Sequence, residues 1–331
     1  MKELITSRKF AVILSHKGPD GDSIGSSLAL SFYLSKLGLL NKVIIPDEFP
    51  HIYNWIKGAD DILCASKNIE EVENCFNQAD LIFCLDFNHR SRVGELISPF
   101  LHQSNNSLKI IVIDHHTYPE NFGDYEIIDP NASSTCELIY DFIKKNGDLK
   151  MIDANIAQAI YLGLVTDTGS FKFSSTTAHT HQIASDLLVF GIDHSKIQNN
   201  IYDQNSLSKI NLLGYALQKI KVDNESPLAY LSLSEKELKS FNYKKGDTDG
   251  FVNYCLSLKD IEVAVFLRQD DNMIKISFRS KGLFKVNEFS KEFYNGGGHE
   301  KAAGGSVFDQ EIEQVEENLI KNFRIFCLKN L

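Results

Sequence analysis

The chain has no CxxC pair: its six cysteines, Cys64, Cys75, Cys84, Cys136, Cys255 and Cys327, are scattered, and several sit in apolar segments such as LIFCLD. Such spacing argues against a thiolate metal cluster and fits small buried hydrophobes in a reducing cytoplasm. Long apolar runs are missing too. The longest aliphatic stretches, Ile110 to Ile113 and Val263 to Leu267, are far shorter than the roughly 18 to 20 residues that cross a bilayer, so neither a membrane span nor a membrane partner is expected. The start, MKELITSRKFAVILSHKGPDGD, sets one short apolar stretch against polar residues without a small-residue cleavage site, and no export signal is expected. Positive charge is scarce: 34 basic against 44 acidic residues leave a net charge of −10. Long duplex nucleic acid gripped along its backbone needs a clustered cationic surface and is therefore not an expected partner. A small anionic ligand in a local pocket survives that exclusion. No internal repeat is present, and low complexity is confined to Gly296 to Gly298.

What remains is the make-up of a folded protein of two domains: 331 residues, 43% hydrophobic and 24% charged. Four short β-rich runs, FAVILS (Phe10 to Ser15), KVIIP (Lys42 to Pro46), DLIFCLD (Asp80 to Asp86) and KIIVID (Lys109 to Asp114), alternate with amphipathic stretches. Strands without polar alternation are buried on both faces, so the first domain is expected to be α/β, a doubly wound, mainly parallel sheet covered by helices. Ile24, Leu28, Phe32 and Leu34 recur near helical spacing before Gly38 and mark the first crossover helix. From Ser134 to Phe190 helical periodicity dominates, and HSKIQNNIYDQNSLSKINLLGYALQKI reads as a helical connector. Beyond Val222 come the capping box SEKE and a hairpin of IEVAVFLRQ and MIKISFRS, then an acidic helix from about Asp309 whose charged face is solvated. The expected division is a sheet domain at 1–190, a connector at 191–222 and a smaller α/β domain at 223–331.

An α/β sheet places its ligands at the carboxyl edge. There the first domain collects His16, Asp20 and Asp22 after the first strand, Asp86 after the third, Asp114, His115 and His116 after the fourth, and Asp167 from a helical segment. Alone, PDGD is a turn and DHH a hydrogen-bonded loop; their coincidence carries the reading. The carboxylates Asp20, Asp22, Asp86 and Asp167, with the imidazoles His16 and His115, would repel strongly without cations, and two divalent ions would balance them. Mixed oxygen and nitrogen ligands suit Mn²⁺, Mg²⁺ or Zn²⁺, with Mn²⁺ expected first. Two such ions can share a water, lower its pKa and stabilise a pentacoordinate phosphorus, which predicts phosphoester hydrolysis.

In the second domain the three glycines before His299 remove Cβ atoms, and their consecutive amides can form an anion nest. The AAG that starts at Ala302 permits close helix packing. Arg279, late in its strand, offers a bidentate fork for phosphate. Other tempting residues carry less: His179 and His181 are two apart and point to different helix faces, His51, His89, His102 and His194 have no partner in sequence, and Trp55 near Tyr53 reads as packing rather than a base stack.

Taken together, HKGPDGDSIGS, LDFNHRSRVG, IDHHTYPENF, TDTGSF, and FRS with GGGHEKAAGG resemble, in order and across nearly the whole chain, the motifs of the DHH phosphoesterases whose second half is the DHH-associated domain. The resemblance implies a first metal held by His16, Asp20 and Asp86 and a second by Asp22, Asp86, His115 and Asp167, with Asp86 shared. It implies a catalytic group of Asp86, His115, His116 and Asp114, in which His116 approaches the phosphate and Asp114 orients its neighbours. Arg92 would support the phosphate or its ligands, and Arg279, Ser280, Gly296, Gly297, Gly298 and His299 would grip the rest of the substrate in a cleft between the domains. The implied activity is that of the small bacterial branch: a metal-bridging hydroxide cleaves very short RNA or the 3′-phosphate of adenosine 3′,5′-bisphosphate in the cytoplasm. A cyclic or linear dinucleotide phosphodiesterase is the alternative, and a homodimer is left open. A noncatalytic nucleotide sensor is the competing class, against which the complete ligand set argues.

Overall fold

Every residue of Phe10–Leu14 after the first is fully buried, and so is all of Leu81–Leu85. Burial on both faces follows from parallel pairing: in a computed structural model, which describes residues 1–102 and 108–330, these segments lie side by side in one sheet. Leu331, the last residue expected in the second domain, lies outside the described residues, as do residues 103–107 in the first. The chain divides into two compact units, Met1–Gln204 and Asn205–Leu331.

The first unit is built on six parallel strands, β1 (Phe10–Leu14), β2 (Leu40–Ile45), β3 (Leu63–Cys64), β4 (Leu81–Leu85), β5 (Lys109–Asp114) and β6 (Tyr125–Ile128), in the order β3-β2-β1-β4-β5-β6. The chain winds outward from β1 on one side, then returns to lay β4 on the other, so the topological switch falls between β1 and β4. Pairing Leu14 with Cys84 and Leu85 with Ile113 brings the carboxyl ends of β1, β4 and β5 level. One face, with Ile13, Phe83 and Ile113, packs on the helices Gly21–Lys36, Thr135–Lys145 and Ala154–Asp167; the other, with Val12, Leu14 and Ile82, packs on Ile69–Gln78 and Gly94–Leu101. Trp55 packs against the first of these cores. Strands β3 and β6 add to the four runs legible in the sequence.

Segment 191–222 is not one continuous helix. Helices His194–Tyr202 and Leu207–Gln218 are separated by a break at which the Ser206 side chain accepts from the Lys209 amide and starts the second helix, and Lys221–Val222 is already strand β7. The second unit continues with β8 (Leu228–Leu233), β9 (Val263–Asp270), β10 (Met273–Ser280), β11 (Gly297–His299) and β12 (Ala302–Phe308), ordered β11-β12-β10-β9-β8-β7. Only β8 and β9 pair in parallel. The last helix, Ile312–Asn330, is more than a solvated acidic face: Val315, Leu319, Phe323 and Phe326 form a buried stripe on the second sheet's core. No helix among the described residues is long and apolar enough to cross a membrane.

Candidate active site

The level carboxyl ends of β1, β4 and β5 deliver His16, Asp86 and the Asp114–His115–His116 triplet to one place. Asp20 caps the helix Gly21–Lys36, its Oδ1 accepting from the Asp22 and Ser23 amides at 3.1 and 3.0 Å. Asp22 therefore sits in that helix's first turn, and Asp167 is the last residue of Ala154–Asp167, which packs alongside. The approach of these two helices depends on Gly163: a Cβ there would collide with Asp22 Oδ1 and Cys136 Sγ.

Asp86 is the centre. Its Oδ2 lies 3.3 Å from His16 Nε2, and its Oδ1 lies 3.5 Å from His115 Nε2 and 3.8 Å from His116 Nδ1. His115 Nε2 is also 3.2 Å from Asp167 Oδ2. His16, Asp20 and Asp86 each offer one ligand atom within 4.8 Å of the others, and so do Asp22, His115 and Asp167. Asp86 holds its position with φ +66°, a left-handed conformation that strains a residue with a Cβ.

The hydrogen bonds of the two imidazoles fix which ring nitrogen each turns toward the carboxylates. His16 Nδ1 faces the Lys17 carbonyl at 2.9 Å and His115 Nδ1 the Ala132 carbonyl at 3.3 Å, so each ring carries its proton on Nδ1 and turns the Nε2 lone pair toward carboxylates. Acceptor then faces acceptor unless a proton or a cation lies between. Burial disfavours the charged His16 ring, but Asp86 and Asp20 outweigh it and raise its pKa to about 8; His115 is raised against burial by Asp86 and Asp22. Burial and the charge of Asp86 push Asp22 up to about 7, and burial with Asp22, Asp20 and Asp86 pushes Asp167 well above the carboxylate range. Asp86 moves the other way: burial opposes its charge, but the hydrogen bond and charge of His16 hold it below the ordinary value. A divalent cation bound among these groups would displace such protons, because carboxylate and imidazole ligands hold it deprotonated. Oxygen and imidazole donors, with no thiolate among them, fit such ions.

His116 is built differently. Its Nδ1 lies 2.7 Å from Asp114 Oδ1 and its Nε2 3.0 Å from Arg92 Nη1. Arginine only donates, so Nε2 accepts, the ring is neutral, and its proton is on Nδ1 toward Asp114. Asp114 is fully buried, and its Oδ2 has no partner among the described residues.

In the second unit Arg279 pairs with Ala302, and Ala302 with His299, so the three form one row across β10, β12 and β11. Directly opposed residues share a face, which leaves the small Ala302 between a guanidinium and an imidazole. Arg279 lies on an interior strand of the sheet, is half-buried, donates from Nη1 to the Phe278 carbonyl at 2.9 Å and has no carboxylate within 4.0 Å among the described residues. Burial lowers its pKa. Two of the three glycines lie in a strand rather than a loop. Gly297 and Gly298 pair with Gly304 and Ala303 as an edge strand, and Gly298, at φ +138°, could not carry a side chain without striking the Ala302 carbonyl. Ser280 is buried, its hydroxyl donating to the Phe284 carbonyl at 2.8 Å. His179 pairs with Asp141, and His181 stacks on Phe171.

Residues 11–164 match the DHH family, N-terminal domain, and residues 225–326 match the DHHA1 domain. The chain belongs to the DHH family of phosphoesterases. It is 29% identical to the probable bifunctional oligoribonuclease and PAP phosphatase NrnA of Streptococcus mutans, over 94% of each chain. Identity to the cyclic-di-AMP phosphodiesterase GdpP of Bacillus subtilis is 26%, over 96% of this chain and 48% of that protein. An exopolyphosphatase-related protein from Bacteroides fragilis, 39% identical, superimposes with a TM-score of 0.94 over 98% of this chain and 94% of its own.

In this DHH protein the residues that orient the clustered carboxylates are ones the motifs did not announce. The helix Thr135–Lys145 starts against the cluster: the Thr135 and Cys136 amides donate to Asp22 Oδ2 and Oδ1 at 2.6 and 2.9 Å, and the Thr135 hydroxyl donates to Asp86 Oδ1 at 3.0 Å. Behind it, buried Glu137 accepts from the Ser133 and Thr180 hydroxyls at 2.6 and 2.8 Å and pins the loop that carries the Ala132 carbonyl. Ser134, three residues before Glu137, marks a helix start in sequence, but no pattern says which carboxylate that start will meet.

Proposed function

We propose that this protein hydrolyses phosphoester bonds of very short oligoribonucleotides and of adenosine 3′,5′-bisphosphate in the cytoplasm, with two divalent cations, Mn²⁺ first, held by His16, Asp20 and Asp86 and by Asp22, Asp86, His115 and Asp167. The observation that carries this reading is Asp86, whose two oxygens face histidines of the two ligand groups. Divalent cations bound there would offset the clustered carboxylates and supply Lewis acidity toward a phosphoryl group and a water nucleophile. The chain's own part lies in orientation and proton control. Arg92 supplies a fixed positive charge for a non-bridging phosphate oxygen, and as that oxygen draws the guanidinium away, His116 Nε2 becomes free to exchange a proton with the reacting oxygen while Asp114 keeps the ring oriented. Arg279 and His299 hold the substrate's remaining phosphate. Likeness to NrnA over almost the whole chain supports short RNA and the bisphosphate; likeness to GdpP supports a dinucleotide phosphodiesterase as the second reading.

The test is hydrolysis, with Mn²⁺, of adenosine 3′,5′-bisphosphate, a linear dinucleotide, a short RNA and a cyclic dinucleotide by wild type and Asp86→Ala. Turnover of the bisphosphate or short RNA, lost in the variant, is expected. Preference for the cyclic dinucleotide would install the second reading, and nucleotide binding without turnover would make the protein a sensor.

A further inference from the structure

Beyond the phosphate machinery, one residue of the third motif stands apart. Tyr118, two residues past His116, is 76% exposed and holds φ +58°, and Asn121 beside it holds φ +56°. A lone exposed tyrosine is ordinary. A bulky residue in left-handed backbone is not, and such strain persists only where the surroundings enforce it. They do so here. Asn88 donates from Nδ2 to the Thr117 carbonyl at 2.7 Å and accepts the Glu120 amide at 2.8 Å. The Arg90 amide and guanidinium grip the Glu120 carboxylate at 2.7 and 3.0 Å. Phe122 is buried, stacked on Phe87 at 6.0 Å, with the Arg90 guanidinium 5.0 Å from its ring centre. The loop is thus bolted on both sides of Tyr118 to the segment that carries Asp86 and Arg92, while the tyrosine ring itself is left to solvent.

We propose that Tyr118 is a stacking platform for a nucleobase of the substrate, the base attached next to the phosphate that His116 and Arg92 receive; this rests on the phosphoesterase reading above. Two residues of chain span at most about 7 Å, which suits the separation of a base from its own phosphate. Pre-set strain keeps the ring presented before substrate arrives, so little ordering is needed on binding. Stacking is indifferent to base identity, as an enzyme of mixed short RNA would need.

The experiment compares wild type, Tyr118→Phe and Tyr118→Ala on a ribodinucleotide and on its abasic counterpart with Mn²⁺, and measures binding of a non-hydrolysable dinucleotide containing 2-aminopurine, whose fluorescence falls on stacking. Stacking predicts that Tyr118→Ala raises KM for the ribodinucleotide by about 5- to 100-fold with kcat nearly unchanged, leaves the abasic KM alone and loses the fluorescence quench, while Tyr118→Phe keeps all three. Equal effects on both substrates, or an unchanged quench in Tyr118→Ala, would overturn the proposal. If wild type cleaves neither compound but quenches the probe through Tyr118, the hydrolase reading fails and the platform stands; if it neither cleaves nor quenches, both fall.

Discussion

Glu237 and Asp22 do the same local job with opposite surroundings. Each carboxylate accepts backbone N–H groups at a helix start: Glu237 from Ser234 at 2.8 Å, Asp22 from Thr135 and Cys136. Glu237 also takes Lys219 Nζ at 2.7 and 2.8 Å and the Tyr215 hydroxyl at 2.5 Å, and against the effect of burial these donors lower its pKa to about 2. Asp22 is fully buried, and burial with the charges of Asp86 and Asp20 outweighs the opposing effect of His115 and raises it to about 7. A carboxylate placed for stability is surrounded by donors. Those of the first unit's sheet edge are set against one another, an arrangement that disfavours the folded chain unless protons or cations offset it.

The largest effect expected from breaking this contrast is at Asp22 itself. Asp22→Asn removes the charge, although its NH2 must then face one of the two backbone amides that Asp22 accepts, and hydrolysis should fall at least about 100-fold with loss of cation affinity. The pH dependence has the same origin. Because the folded pKa of Asp22 lies above its ordinary 3.8, the folded state holds an extra proton, so this group's stabilisation is complete below that value and is lost as pH rises through about 7. His16, raised from 6.5 to about 8, adds to the same slope. Melting of metal-free wild type by calorimetry should therefore decline between mildly acidic and neutral pH, and Asp22→Asn should flatten that decline; a rising curve would remove the electrostatic account.

A smaller effect is expected one step back from the ligands. Thr135→Val retains the amide that Asp22 accepts and loses only the hydroxyl that Asp86 accepts. Mn²⁺ affinity by calorimetric titration should drop about 10- to 100-fold and return in Thr135→Ser. Equal affinity in all three proteins would show that Asp86 needs no such support.

These two residues also mark how far the sequence could be read. Strands β1, β4 and β5 were legible because their apolar runs admit no exposed face, and Asp86, His115 and Asp167 were legible because they follow such runs or close a helical one. Thr135 and Cys136 were not, since they act largely through backbone amides that no residue letter encodes, and only the packing allowed by Gly163 brings them to Asp22. Strands β11 and β12 were hidden for a different reason. Glycine disfavours strands intrinsically, yet at Gly298 the crowding of the Ala302 carbonyl leaves room for nothing else. The break at Ser206 was hidden within a periodicity that resumes in phase with neither neighbour's boundary marked by proline or glycine.

On the stabilising side of the comparison, Glu237→Gln should lower stability by roughly 1 to 3 kcal/mol, the range for hydrogen bonds to a charged group, without changing kcat/KM. Its sign with pH is opposite to that of Asp22. The folded pKa of about 2 lies below the ordinary 4.5, so the stabilisation is present above 4.5 and disappears as pH falls toward 2. Denaturant titrations should show wild type and Glu237→Gln converging in acid and diverging at neutral pH.

The smallest expected effect separates structure from binding at Ser280. Its hydroxyl already donates to the Phe284 carbonyl and lies buried beside Arg279 in sequence, so Ser280→Ala removes one neutral hydrogen bond, about 1 kcal/mol of stability. If that is its whole role, KM for every nucleotide stays at the wild-type value while the melting temperature falls slightly. A higher KM with unchanged melting would instead mean that the hydroxyl turns from Phe284 to the substrate on binding, and would make Ser280 part of the anion grip proposed for Arg279 and His299. Arg279→Lys sharpens the distinction, since it keeps the charge but loses the planar fork: KM should rise in that variant whichever role Ser280 has.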